Sequence, residues 1–191
     1  MTDKHPSKYE IITQARVLDG WLQVDHVTVR FEQFSGGLGE RMTRDVVRRQ
    51  DASVALVRHR TRGTLIFVDQ FRLASAGKGN GWVVEICAGK IDAGETAEEA
   101  MRRELTEETG YEALSVVPVT SFFVSPGYTD ERMHLFDVEV DGDPGHAPGD
   151  GHEDIRLVEL TVDEAYRWAD DGRFADAKTL LALYWLRSQG S

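Results

Sequence analysis

Three glutamates between residues 89 and 111, in the stretch GKIDAGETAEEAMRRELTEETGY, stand where a helix should carry apolar side chains. The spacing predicts a helix over 97–109. At 3.6 residues per turn, Ala97, Ala100, Met101 and Leu105 line one apolar stripe. Glu104 and Glu108 project into that stripe, and Glu107 lies at its edge. They are i,i+4 and i,i+3 neighbours, a like-charge arrangement that destabilises an isolated helix. Half-burying them adds a desolvation penalty. A positive group is therefore expected against them. Ala100, Met101 and Tyr111 cannot supply it, and a divalent cation is the simplest candidate, since hard cations such as magnesium take carboxylate oxygens.

The flanks reinforce the helix. Thr96 and Glu99 have capping-box spacing. Gly110 is placed to end the helix in a left-handed conformation. Glu98 with Arg102, and Glu99 with Arg103, are spaced to pair at i,i+4, so those four charges need no functional explanation.

On these residues the segment resembles the signature of the Nudix hydrolases. That signature is a glycine, five residues, a glutamate, seven residues, then R-E-U-x-E-E-x-G-U, with U bulky and apolar. Gly89, Glu95, Arg103, Glu104, Leu105, Glu107, Glu108, Gly110 and Tyr111 fill it in turn. Tyr111 stands where an aliphatic residue is commoner, a departure expected to affect packing alone.

Composition narrows the partners. The 191 residues carry a formal net charge of -11, which opposes broad electrostatic binding to nucleic acid. An anionic substrate then needs local positive charge or a metal. The single cysteine, Cys87, excludes an intramolecular disulfide, and its apolar setting reads as a small buried side chain rather than a nucleophile. No apolar run is long enough to span a membrane, so a cytoplasmic location is the default expectation.

Along the chain, residues 1–8 read as a tail. Residues 9–48 read as an N-terminal antiparallel strand unit, with strands at 21–24, 26–31 and 43–47 and a glycine-rich hairpin loop at 35–39. Residues 49–191 read as the main domain. Its strands are expected at 52–58, 64–71, 83–88, 114–123, 133–140 and 155–160, with an acidic loop at 141–151 and two closing helices, the second capped by Asp176. This mixture is α+β. The resemblance sharpens it to a Nudix-type α/β/α sandwich around a mixed β-sheet.

A second set of segments is similar to the ADP-ribose pyrophosphatase branch of that family, which includes nucleotide-sugar diphosphatases. These are residues 125–131 (SPGYTDE), with Pro126 sixteen positions after Gly110, then Gln70-Phe71-Arg72, Glu153-Asp154-Ile155-Arg156, and an ending with Ala165-Tyr166, Trp168 and Gly172. The resemblance implies magnesium-dependent (or manganese-dependent) hydrolysis of a nucleoside diphosphate linked to a sugar, of which ADP-ribose comes first and GDP-mannose is the alternative. A nucleotide sensor without turnover is the rival from another class.

The resemblance also implies roles. Glu104, Glu108 and Glu107 are the expected metal ligands, with the backbone carbonyl of Ala88. Arg103 is expected to orient a glutamate, and Glu95 to act structurally or beyond the metal's direct ligands. The general base is expected at Glu153, with Asp154 and Asp150 as alternatives. Substrate contacts are expected from Arg72, Arg49, Arg44, Pro126, Gly127 and Glu131, with Trp21 or Phe31 stacking on a base if the chain is a homodimer whose N-terminal strands reach the partner's site.

Overall fold

The computed structural model describes residues 6–145 and 154–190. The expected base Glu153, the alternative Asp150, and their neighbours Gly151 and His152 lie outside the described residues. The chain divides into two compact units, Met1–Gln50 with Phe123–Glu131, and Asp51–Phe122 with Arg132–Ser191.

The first unit contains a three-stranded antiparallel sheet, β1 (Tyr9–Asp19), β2 (Gln23–Phe31) and β3 (Met42–Arg48), in that order. The expectation of separate strands at 21–24 and 26–31 is corrected here. Residues 23–31 are one strand, Trp21 lies in the turn before it, and the other strand of the hairpin is β1. Strand β1 (YEIITQARVLD) is exposed over nearly all its length, so it carries no clean alternation of buried and exposed positions to read. Residues 123–131 join this unit through Tyr128, whose carbonyl accepts from the Val47 amide at 2.7 Å, and through Arg48, which donates to Asp130. Arg48 and Arg16 both donate to Asp25, which is 3% exposed; these hydrogen bonds hold its carboxyl far below the ordinary aspartate range.

The second unit is built on a seven-stranded mixed sheet. Its strands are β4 (Ala52–His59), β5 (Thr64–Phe71), β6 (Trp82–Glu85), β7 (Cys87–Lys90), β8 (Ser115–Phe123), β9 (Arg132–Val140) and β10 (Ile155–Thr161). The order is β10-β5-β4-β9-β8, with β6 paired to β5 and β7 to β4. Strands β4 and β9 run parallel, while β5, β6, β7 and β10 make antiparallel pairs. The 83–88 strand expected from sequence is two short ones, because its chain passes from β5 to β4 at Ile86. A short helix α1 (Leu73–Ala76) follows β5.

Alternation along β4 sets the layers. Val54 and Leu56 face one core with Ala165 and Ala169 of α3 (Val162–Asp170) and Ala182, Leu183 and Leu186 of α4 (Ala177–Ser188). Ala55 and Val57 face the other core with Met101 and Leu105 of α2 (Ala97–Thr109). Helices thus cover both faces, giving the α/β/α sandwich. Among the described residues, no helix is long and apolar enough to cross a membrane.

Candidate active site

Helix α2 begins and ends as its sequence dictates. Thr96 and Glu99 form the capping box, and Gly110 closes the helix at φ 73°, a left-handed conformation a side chain would resist. The same capping box overturns one expected pair. Glu99 is engaged with the backbone and hydroxyl of Thr96, so it does not meet Arg103. The Glu98–Arg102 pair does form, at 2.8 Å.

Released from Glu99, Arg103 becomes the hub of the acidic cluster. Its Nε and Nη2 donate to the two carboxylate oxygens of Glu95 at 2.9 and 3.0 Å. Nη1 donates to Glu104 at 2.7 Å and to Glu107 at 3.1 Å, and Nη2 also donates to the Lys90 carbonyl at 3.0 Å. The expectation that the glutamates lack a cation from the protein is therefore corrected for Glu104 and Glu107. The fork geometry of guanidinium allows one side chain to serve several acceptors. These contacts hold Glu95 down to about 2, with help from the Asp92 amide.

Glu108 is treated differently. It is 6% exposed, and its Oε2 accepts from the Ala88 amide of β7 at 3.0 Å. Burial pushes its carboxyl up to about 7, the neighbouring negative charges of Glu104 and Glu85 add to this, and hydrogen bonds from Cys87 and Ala88 oppose it. Cys87 is buried, with its thiol raised by burial first and by Glu108 second, which leaves it inert as a nucleophile. Glu104 lies against the β7 backbone, where a Cβ on Gly89 would stand 1.7 Å from its carboxyl carbon.

The remaining expected residues fall in both units. In the second unit, Arg72 follows β5 and donates through Nε to Glu85 at 2.6 Å. Glu85 is 3% exposed and also accepts from Lys178, which is itself buried and 3.1 Å from Asp176. Asp154 is exposed at the entry to β10. In the first unit, the Arg49 guanidinium lies 3.5 Å from Glu131 and 5.2 Å from the ring centroid of Trp21, so these three meet. Pro126 and Gly127 form a turn closed by the Tyr128 and Thr129 amides on the Ser125 carbonyl. Arg44 is exposed on β3 and donates to the adjacent Thr43 carbonyl.

Sequence reading passed over Glu85, Gln70 and Lys178. Gln70 enters the sequence pattern only within the run Gln70-Phe71-Arg72, yet its Nε2 is buried without a hydrogen-bond partner among the described residues. A lone charge inside the apolar run WVVEICA was the available signal for Glu85. Nothing local marks Lys178, whose burial depends on where α4 packs.

The donor set suits a hard divalent cation. Carboxylate oxygens of Glu104 and Glu108 neighbour each other beside the β7 backbone, and the charged form of Glu108 is short of compensation. Among the described residues, no three Asp, Glu, His or Cys side chains are gathered as a metal site, and Arg103 donates to both Glu104 and Glu107.

The second unit is a mixed sheet covered by helices on both faces, with a glutamate-rich helix laid on a glycine-containing strand. The NUDIX domain model matches residues 48–183, and the chain belongs to that family. It is 32% identical to the ADP-ribose pyrophosphatase of Escherichia coli strain K12 over 93% of this chain and 87% of the relative. It is 34% identical to the GDP-mannose pyrophosphatase of Pectobacterium atrosepticum over 93% of each chain. A solved structure of an ADP compounds hydrolase shares the fold, with TM-score 0.75 and 23% identity over 98% of each chain.

Proposed function

We propose that this chain hydrolyses the diphosphate bond of ADP-ribose or a related nucleoside diphosphate sugar, releasing a nucleoside monophosphate and a sugar phosphate. Magnesium is the proposed metal, with manganese as a substitute. The observation that carries the reading is the Glu104–Glu108 pair, two like charges set against β7, one of them buried with its carboxyl raised to about 7. When bound, the cation neutralises the diphosphate and lowers the pKa of a water.

Glu104, Glu108 and the Ala88 backbone would hold that cation, with Glu107 as a further carboxylate. Arg103, which donates to Glu104, orients its carboxylate. Arg72 grips a phosphate oxygen, for which a guanidinium fork is well matched. Arg44 and Arg49 are further phosphate contacts, Glu131 holds the ribose or terminal sugar, Pro126 and Gly127 are further substrate contacts, and Trp21 or Phe31 stacks on the base where the N-terminal strands of a homodimer reach the partner's site. Glu153 accepts the proton from the attacking water; Asp154 and Asp150 are its alternatives.

GDP-mannose is the second reading, favoured by relatives of that name at 34% and 33% identity over nearly the whole chain. Hydrolysis of both compounds, with products resolved and magnesium varied, decides between them. Tight nucleotide binding without turnover would instead mark a sensor. We place the protein in the cytoplasm as a homodimer joined through its N-terminal sheet. Tyr9, Ile11, Val17 and Leu18 of β1 are all about half exposed or more, and this apolar surface supports a partner there. Sedimentation velocity tests the dimer.

A further inference from the structure

Glu85 has no place in the roles set out above, yet it is the most heavily committed carboxylate around β6. It is 3% exposed, and each of its oxygens has a cation: Oε1 accepts from Arg72 Nε at 2.6 Å, and Oε2 accepts from Lys178 Nζ. Lys178 is 6% exposed and lies 3.1 Å from Asp176, the N-cap of α4. Leaving a carboxylate this dry is unfavourable unless it is paired and hydrogen-bonded. Two buried ionic groups are maintained here beside a guanidinium that is 41% exposed.

The asymmetry of the contact matters. Glu85 engages Arg72 through Nε, the nitrogen nearest the stem of the side chain. A guanidinium held at Nε has its plane and direction set, because the group is rigid and planar. Lys178 neutralises Glu85 through its other oxygen, so both carboxylate oxygens are satisfied.

We propose that Glu85 is a positioning residue for the reaction, fixing the guanidinium of Arg72 for a substrate phosphate, with Lys178 as the counter-charge that keeps Glu85 in place. This rests on the reading of Arg72 as a phosphate contact. The substrate oxygen recognised is anionic and belongs to the diphosphate common to every nucleoside diphosphate sugar, so the device is indifferent to base and sugar.

A double-mutant cycle on the full chain tests it, using ADP-ribose and GDP-mannose with magnesium. Arg72→Ala is expected to lower kcat/KM by roughly 10²-fold, the loss of a charge-assisted hydrogen bond to phosphate. Glu85→Gln is expected to lower kcat/KM about tenfold, mostly through KM, for both substrates alike. In the Arg72→Ala background, Glu85→Gln should have almost no further effect on kcat/KM. Additive losses would overturn the proposal, since a purely structural carboxylate acts whether or not Arg72 is present. If Glu85→Gln alone does not fold, Glu85→Asp takes its place in the cycle, keeping a charge for Lys178 while shortening the reach to Arg72 Nε. No effect of Arg72→Ala in a wild-type enzyme that turns over removes Arg72 from the phosphate, and the role of Glu85 falls with it. Absence of turnover by the wild type overturns the functional reading and this inference together.

Discussion

The carboxyl carbon of Glu104 lies 1.7 Å from the point where a Cβ on Gly89 would stand. Gly89 is therefore required by closeness, and it does not share the positive φ of Gly110. The first glycine of the motif and its central glutamate are one contact: the strand must be bare for the carboxylate to lie on it. The obstructing atoms are the far end of a flexible side chain, so a methyl group at 89 displaces the carboxylate and spares the backbone. Gly89→Ala is expected to fold with a melting temperature within a few degrees of wild type and to lose at least about tenfold in kcat, as for removing a placed charge. Manganese affinity by calorimetry should weaken in parallel; unchanged affinity and turnover would separate Gly89 from the site.

Glu108 couples stability to pH in the metal-free protein. Its folded pKa, about 7, lies above the ordinary 4.5, so the folded chain holds that proton more tightly than the unfolded chain does. Folding is favoured below about 4.5 by this group, and the contribution is lost as pH rises through 7. The loss amounts to a few kcal/mol at most. In chelator, the melting temperature should fall between pH 5 and 8, and Glu108→Gln should flatten that slope. Magnesium at pH 8 should stabilise wild type more than the variant, because the cation binds the ionised form.

Activity gives the complementary expectation. Glu108→Gln should lose about 10²-fold or more in kcat with magnesium present, while its metal-free form at pH 8 melts no lower than wild type. Near-native turnover would show that the cation does not depend on Glu108.

Arg103 links Glu95 to Glu104 and Glu107, so its removal should be felt at all three. Glu95, held at about 2, stabilises the fold fully above the ordinary carboxylate value near 4.5, and that contribution disappears as pH falls toward 2. Arg103→Met should remove most of this component of acid unfolding, leaving the part due to the Asp92 amide, and lower kcat about tenfold. Circular dichroism across an acid titration, alongside kinetics at neutral pH, measures both.

Lys178 and Glu85 make a buried ion pair, for which removing one partner is worse than removing both. Lys178→Met should destabilise by about 3 kcal/mol, moderated by Arg72, which still faces Glu85. Lys178→Met combined with Glu85→Leu should recover much of that loss in denaturant unfolding.

Most of the second unit was legible in the sequence. The short apolar run in ASVALVRH and the 3.6-residue stripe of α2 are local signals, and so are the Thr96–Glu99 box and the glycine at 110. Strand β1 escaped because its residues are exposed on both faces, and a strand without a buried face has no period to detect. The Glu99–Arg103 pair was misread because spacing alone cannot tell which of two partners wins. Glu99 was claimed by the helix N-terminus, and Arg103 turned to Glu95, Glu104 and Glu107.

Residue spacing by itself determined the motif helix with its caps and the presence of like charges in an apolar stripe, and it carried the family resemblance, because these depend on neighbours within a few turns of chain. Tertiary structure alone decided which cation answers each carboxylate. Arg103 reaches Glu95 across eight residues, Glu108 rests on a strand amide twenty residues away, and Lys178 meets Glu85 across ninety-three. Charge pairing acts over a few ångströms of space, and only the packing of α2 and α4 on the sheet sets those distances.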